Sequence, residues 1–285
     1  MLVTMKGILD DAREHRYGIA APGVNDMQTV EAVFQAASDM KSPIILDCVE
    51  MNDIEAVADI AKFMSARYPQ VVAALNLDHG RTFDVCARAI RYGFTSVMID
   101  CSKLPFDENV AITAEVVKMA HAVGVSVEAE LGRVGSAQNY AEDRLSPLTD
   151  CDEALKFVKR TSVDCLAVAV GTAHGLYAGE KPELNFERIA ELRQAVPVPL
   201  VLHGGSATGD AKLSEAVKTG ISKINLFSDL SSSGTEAVKA LVNSDKSTVL
   251  GFLPLSMVYG AGVGAYKKMI MHYISVFGSE GVLGA

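Results

Sequence analysis

The amino-acid sequence predicts an α/β chain folded as a single (β/α)8 TIM barrel with an additional C-terminal helical segment, and three observations carry that prediction. Short apolar runs rich in β-branched residues alternate with longer segments of helical period from Tyr17 to Leu226. The runs are apolar continuously rather than at every second position, as in Pro43-Ile-Ile-Leu46, which is the pattern of parallel strands covered on both faces. No break in composition divides the alternation, so residues 1–285 are expected to form one domain, and a chain of 285 residues that is 49% hydrophobic can bury a core of that size. An open doubly wound sheet shares the alternation; an uninterrupted series of eight repeats favours the closed barrel.

Taken in order, the expected strands are Tyr17–Pro22, Pro43–Cys48, Val71–Leu77, Thr95–Asp100, Val125–Glu130, Asp164–Val170, Val198–His203 and Ser222–Leu226. Between them, apolar residues fall at spacings of three and four, as in Val30, Val33, Phe34 and Ala37, or Val110, Ala114 and Val117. Asn52-Asp53 can cap the helix after the second strand, and Gly93 and Gly220 can end helices further on. Gly132–Thr149 breaks the pattern: it is a long polar loop without a period, and such loops in compact domains usually serve function. Val258–Val276 is amphipathic and lies beyond the eight repeats, where Tyr259, Tyr266, Met269, Ile270 and Tyr273 either cover the barrel or meet another subunit.

Composition excludes several functions. A formal charge of −9 without a Lys/Arg cluster leaves no electrostatic footprint for nucleic acid or an anionic membrane. Five cysteines, Cys48, Cys86, Cys101, Cys151 and Cys165, are odd in number and lack a C-x-x-C pair, so they read as buried thiols of a reducing compartment. With no signal-like leader and no apolar run of membrane-spanning length, a cytoplasmic location is expected.

In a barrel of this kind catalytic groups gather at the C-terminal ends of the strands. His79, His174 and His203 all fall there, whereas His15, His121 and His272 fall in helical or surface segments. A single strand-end histidine is usually a satisfied structural residue, but three on one rim point to a metal. Three imidazoles with an open position form a catalytic Zn²⁺ arrangement, another divalent transition metal being the alternative, since magnesium would want oxygen ligands. Glycines follow two of these histidines, in Thr172-Ala-His-Gly175 and His203-Gly-Gly-Ser206. Either they make plain turns, or, with Asn225-Leu-Phe-Ser228 after the last strand, they let a phosphate approach backbone N–H groups.

Together the motifs resemble the class II, zinc-dependent ketose-bisphosphate aldolases. The stretches that carry the likeness are Ser42-Pro-Ile-Ile-Leu46, Leu77-Asp-His79, Ile99-Asp100, Phe106-Asp-Glu-Asn109, Val127-Glu-Ala-Glu-Leu-Gly132, Ala167-Val-Ala-Val-Gly-Thr-Ala-His-Gly175, Leu200-Val-Leu-His-Gly204, Lys223-Ile-Asn225 and Phe277-Gly-Ser279, in the family's order. The resemblance implies one zinc ion per subunit on His79, His174 and His203, with Asp78 as the acid/base at the aldehyde oxygen. It also implies that Asp100 and Glu130 orient groups in the site or hold the metal in a second position. Gly175, Gly204, Gly205, Ser206, Asn225, Leu226, Phe227 and Ser228 would hold the phosphate and hydroxyls of dihydroxyacetone phosphate, and Asn25 matches a polar position at the substrate. A phosphorylated sugar as substrate and a homodimer or homotetramer follow by the same likeness.

The chain departs from the family at several points. Gly135-Ser-Ala-Gln-Asn139 places the amide Gln138 where the family has its mobile glutamate base, and an amide cannot take up a proton at neutral pH. Glu142, with Asp143 beside it, can supply the base from further along the loop; another group or the substrate itself can do so; or the barrel binds a sugar phosphate without cleaving it. Asn76 stands where histidine is common, Asp47-Cys-Val-Glu50 differs from the usual polar residues after the second strand, and Ala178 replaces a frequent lysine. A metal-dependent hydrolase is the remaining rival, and Ile19-Ala-Ala-Pro22 lacks the first-strand ligands it would need.

Overall fold

The computed structural model describes residues 1–132, 134–136, 138, 147–175, 182–244 and 252–284. Eight parallel strands, β1 (Ile19–Pro22), β2 (Ile44–Val49), β3 (Ala73–Gly80), β4 (Ser96–Ile99), β5 (Ser126–Leu131), β6 (Cys165–Val168), β7 (Leu200–Leu202) and β8 (Ile221–Leu226), form one sheet in the order β1-β8-β7-β6-β5-β4-β3-β2. The remaining seam is bridged at Gly23 and Asp47, where the Val24 N–H donates to the Asp47 carbonyl at 2.8 Å. All eight strands expected from the sequence are present, and the nearly closed barrel replaces the open-sheet alternative.

The helices follow from local chemistry. Between β1 and β2, α2 (Met27–Met40) starts on a reciprocal cap in which Thr29 N–H donates to Asp26 and Asp26 N–H donates to the Thr29 hydroxyl; an N-terminal helix, α1 (Met5–His15), precedes β1. After β2, α3 (Ile54–Arg67) is capped by Asp53, which accepts from Ala56 N–H; Asn52 instead reaches the Val24 carbonyl. Then come α4 (Phe83–Tyr92), ended by Gly93 at φ 98°, α5 (Phe106–His121), α6 (Cys151–Thr161), α7 (Phe186–Ala195) and α8 (Asp210–Thr219), ended by Gly220. Two more helices, α9 (Ser228–Val242) and α10 (Leu255–Phe277), follow β8. Tyr266, Ile270 and Tyr273 of α10 are buried within the chain, and the Tyr266 hydroxyl donates to the Gly23 carbonyl at the barrel seam. Among the described residues no helix is long and apolar enough to cross a membrane.

Two apolar clusters follow from this layering. Outward-facing strand residues pack under the helices, while Ile19, Ala21, Ile45, Ala74, Cys165, Ala167 and Val201 point into the barrel. The repeat pattern gives no notice of α1. Its Met5, Ile8, Leu9 and Ala12 pack on the interior cluster, and Met5 N–H donates to the Ser126 hydroxyl at the start of β5. The helix therefore plugs the N-terminal end of the barrel and leaves the opposite rim for chemistry.

Leu9 is wholly buried in that plug. Leu9→Ala is expected to reduce the unfolding free energy by about 2–5 kcal/mol, the range for an apolar truncation that leaves a cavity. Urea denaturation checks it.

Candidate active site

A cavity of about 470 Å³ opens at the C-terminal rim. Asp47 and Val49 from β2, Asp78 and His79 from β3, and Asn225 and Leu226 from β8 line it, together with His174, Gly175, Gly204, Ser206, Phe227, Ser228 and Asn25 from the loops.

The placing of Asp78 and His79 depends on a local irregularity. Adjacent residues of a regular strand project to opposite faces. Here the β3–β4 register shifts between Leu77 and Gly80, and His79 takes φ 50°, in the left-handed region. The twist turns both side chains toward the cavity, and the His79 N–H meets the Met98 sulfur at 3.4 Å.

His174 arrives by a different route. The short strand Ala173–His174 pairs in parallel with Gly135–Ser136, so the loop after β5 is laced to the loop after β6. Gly204 makes the approach of these segments feasible: at φ 68°, a Cβ there would collide with the Ala173 carbonyl oxygen.

The three imidazoles converge. Ring centroids are 5.0 Å apart for His79 and His174, 4.7 Å for His79 and His203, and 5.5 Å for His174 and His203. One nitrogen from each lies within 4.8 Å of the others. Carboxylates fix two of the rings from behind. Asp100 is 2.9 Å from His79 Nδ1, and Glu128 is 2.9 Å from His203 Nε2 at a site where both side chains are fully buried. That leaves His203 Nδ1 without a hydrogen-bond partner, 3.4 Å from a Glu130 oxygen that has none either. Two buried, unpartnered atoms beside a trio of imidazoles fit a divalent transition metal, which the donor set would bind as a borderline-soft ion.

The electrostatics set His79 and His174 apart. Burial disfavours a charged His79, yet Asp78, the Asp100 hydrogen bond and Glu130 together push its pKa up to about 10. Burial and the two neighbouring imidazoles push His174 down to about 3. Burial raises Glu130, with His203 pulling the other way. Burial also works against ionised Asp78, but the charges of His79, His203 and Lys223 hold its carboxyl below the ordinary value.

Comparison with known proteins places this geometry. The family model described as fructose-bisphosphate aldolase class-II matches residues 3–282. The chain belongs to the class II fructose-bisphosphate aldolase family. It is 39% identical to the fructose-bisphosphate aldolase of Geobacillus stearothermophilus over 98% of both chains. It is 41% identical to a probable fructose-bisphosphate aldolase of Bacillus subtilis, over 84% of this chain and 85% of that one. Among solved structures, the YdjI aldolase of Escherichia coli K12 superposes with a TM-score of 0.87 at 33% identity, covering 99% of this chain and 100% of that one. This protein is thus an aldolase, a carbon–carbon lyase acting on a phosphorylated sugar, in a family that is zinc-dependent in general.

Most sequence-predicted site residues of this aldolase meet in one place. His203 completes the trio of imidazoles, Asp100 and Glu130 stand against it, and the others line the cavity, with two exceptions. Gly205 lies behind the wall: its N–H donates to the Asn225 carbonyl at 3.2 Å, and a Cβ would meet Ile224 at 2.5 Å. That close packing, rather than a ligand, accounts for a glycine there. Glu142 and Asp143 lie outside the described residues, as does Ala178, while Gln138 is described and exposed.

Sequence reasoning missed Lys223 and the role of Glu128. The Lys223 ammonium is fully buried inside the barrel, 2.6 Å from Glu128 and 3.2 Å from Asp47. Burial disfavours its charge, but Asp47 and Glu128 raise its pKa well above the ordinary lysine value. Glu128 in turn stays ionised against its own burial through Lys223 and His203. A lysine within an apolar strand whose side chain must point inward was the available signal.

Lys223→Met is expected to cost about 3–5 kcal/mol of stability, because it strands buried carboxylates without their cation. It should also weaken metal retention, since Glu128 then no longer holds a single His203 tautomer. Thermal unfolding and metal content after dialysis test the two effects separately.

Proposed function

We propose that the cavity reversibly cleaves a phosphorylated ketose into dihydroxyacetone phosphate and an aldehyde, with one zinc ion per subunit held by His79, His174 and His203. The observation that carries this reading is the unpartnered Nδ1 of His203 facing two further imidazoles, with the Asp78 carboxylate 3.9 Å from His79 Nε2. When bound, the ion supplies a Lewis acid for negative charge developing on the oxygens of the ketone fragment.

Asp78 is held for proton transfer by the Asn225 amide, which donates to its Oδ1 at 3.2 Å. Its carboxylate accepts the proton of the hydroxyl on the carbon that becomes the aldehyde. As that O–H bond breaks, the C–O bond gains its second bond, and the electron pair of the cleaved C–C bond passes to the ketone fragment. That fragment then takes a proton at carbon from the protonated carboxyl of Glu142, which is left as the carboxylate and stands in for the family's loop glutamate, whose place Gln138 occupies here. Gly175, Gly204 and Ser206 cradle the phosphate with Ser228 at the N-terminus of α9, where unpaired N–H groups favour an anion. Ser206 shapes this corner by accepting from the N–H groups of Phe227 and Asp229. Leu226 and Phe227 form its apolar wall, and Asn25 its polar rim. The exposed Leu255, Met257 and Tyr259 at the start of α10 support self-association into a homodimer or homotetramer, and a monomeric mass by sedimentation would remove that element.

Activity is expected to vanish on chelation and return with Zn²⁺. Asp78→Ala should lower cleavage by about 10²–10⁴-fold, the usual contribution of a general acid/base, with metal still bound. Incubation with dihydroxyacetone phosphate in D₂O separates the two proton carriers: Glu142→Gln should abolish deuterium uptake at carbon, whereas Asp78→Ala should largely retain it. A wild-type enzyme that binds dihydroxyacetone phosphate and zinc yet exchanges no deuterium would refute the reading.

A further inference from the structure

The C-terminal helix α10 lies outside the eight repeats, yet two of its side chains reach the helices that follow β7 and β8. His272 pairs with Asp210, the first residue of α8, and the Tyr273 hydroxyl donates to Asp229 Oδ2 in the first turn of α9. The loops that precede these two helices form the corner that seats the phosphate in the proposed function.

That corner is held together by a reciprocal pair. Phe227, at the N-cap position of α9, has no polar side chain with which to cap the helix. Ser206, from the loop after β7, does so across the gap: its hydroxyl oxygen accepts from the N–H groups of Phe227 at 3.2 Å and Asp229 at 3.3 Å. Both lone pairs are then engaged, which leaves Ser206 its proton to offer the cavity it lines. Asp229 answers with its carboxylate, whose Oδ2 accepts from the Ala207 N–H at 2.7 Å. Ala207 takes φ 60°, a left-handed conformation that a residue other than glycine keeps where its surroundings enforce it. Tyr273 is buried, stacked on Phe277 with ring centroids 5.6 Å apart, and its hydroxyl shares the same Oδ2. Helix α10 thus fixes the carboxylate that fixes the loop.

We infer that Asp229 and Tyr273 are positioning residues for the substrate phosphate, which rests on the reading of this corner given above. Asp229 holds Ser206 and Ala207 in the conformation that receives an anion, and Tyr273 holds Asp229. Neither stands among the residues that line the cavity, so both act through the loop after β7, and on binding rather than on the proton transfer at Asp78.

The probes are dihydroxyacetone phosphate and inorganic phosphate, used with the zinc-loaded enzyme. Deuterium exchange into the first gives KM and kcat, and calorimetry gives a dissociation constant for each. Tyr273→Phe keeps the ring and loses only the hydroxyl; it is expected to raise KM and both dissociation constants by about three- to tenfold, the range for one hydrogen bond, with kcat nearly unchanged. Asp229→Ala, which leaves the Ala207 N–H without its acceptor, should raise them by about tenfold or more, and Asp229→Asn, which keeps an oxygen acceptor, should recover part of that loss. A merely structural role would lower kcat or the melting temperature through loss of folded enzyme and leave the dissociation constants where they were. Unchanged constants, or a loss confined to kcat, overturn the inference. A wild-type enzyme that binds both probes but exchanges no deuterium overturns the aldolase reading instead, and the dissociation constants still decide the role of the two residues. A wild-type enzyme that binds neither probe removes the phosphate corner, and the inference with it.

Discussion

A lysine ammonium sealed inside the barrel organises this structure. Lys223 reaches from β8 to Asp47 on β2 and Glu128 on β5, spanning the interior rather than following one strand. Its charge keeps Glu128 ionised, Glu128 receives His203 Nε2, and the opposite face of that ring is thereby left free. The same charge sits beside Asp47, a residue of the cavity lining. Buried ion pairs gain little net stability over an apolar core. Their worth here is positional: one cation sets the orientation of a ring on one side and the polarity of a pocket wall on the other.

The second constraint is the break in β3. A strand that stayed regular could aim Asp78 or His79 inward, but not both. The shifted register and the left-handed His79 give up local regularity so that a carboxylate and an imidazole can share one rim position. Strain of this sort persists where surrounding contacts over-determine it. Asp100 behind His79 and Asn225 against Asp78 provide that hold.

The legible and illegible parts of the sequence divide along physical lines. All eight strands are readable, because parallel strands covered on both faces must be continuously apolar, and the three histidines stand out as polar residues at apolar strand ends. The N-terminal helix escapes notice because Met5, Ile8, Leu9 and Ala12 contribute only a short apolar stripe ahead of the first repeat. The ladder joining Gly135–Ser136 to Ala173–His174 depends on two loops meeting in space, which no local period records. Lys223 stands in the family-like stretch Lys223-Ile-Asn225, where strand alternation signals an inward lysine but does not tell which strands supply its carboxylates. Gly205 shows the converse: its neighbours suggest a contact for phosphate, whereas its lack of a side chain serves packing against Ile224.

The plug formed by α1 has a kinetic consequence. With Leu9 and its neighbours packed at the lower end of the barrel, the described residues leave the cavity on the C-terminal rim. Substrate, both cleavage products and water all pass through the same opening, bordered by β2 on one side and α9 on the other. The barrel floor thus fixes the traffic of the enzyme at the opposite pole: what α1 closes below, the rim must admit and release above.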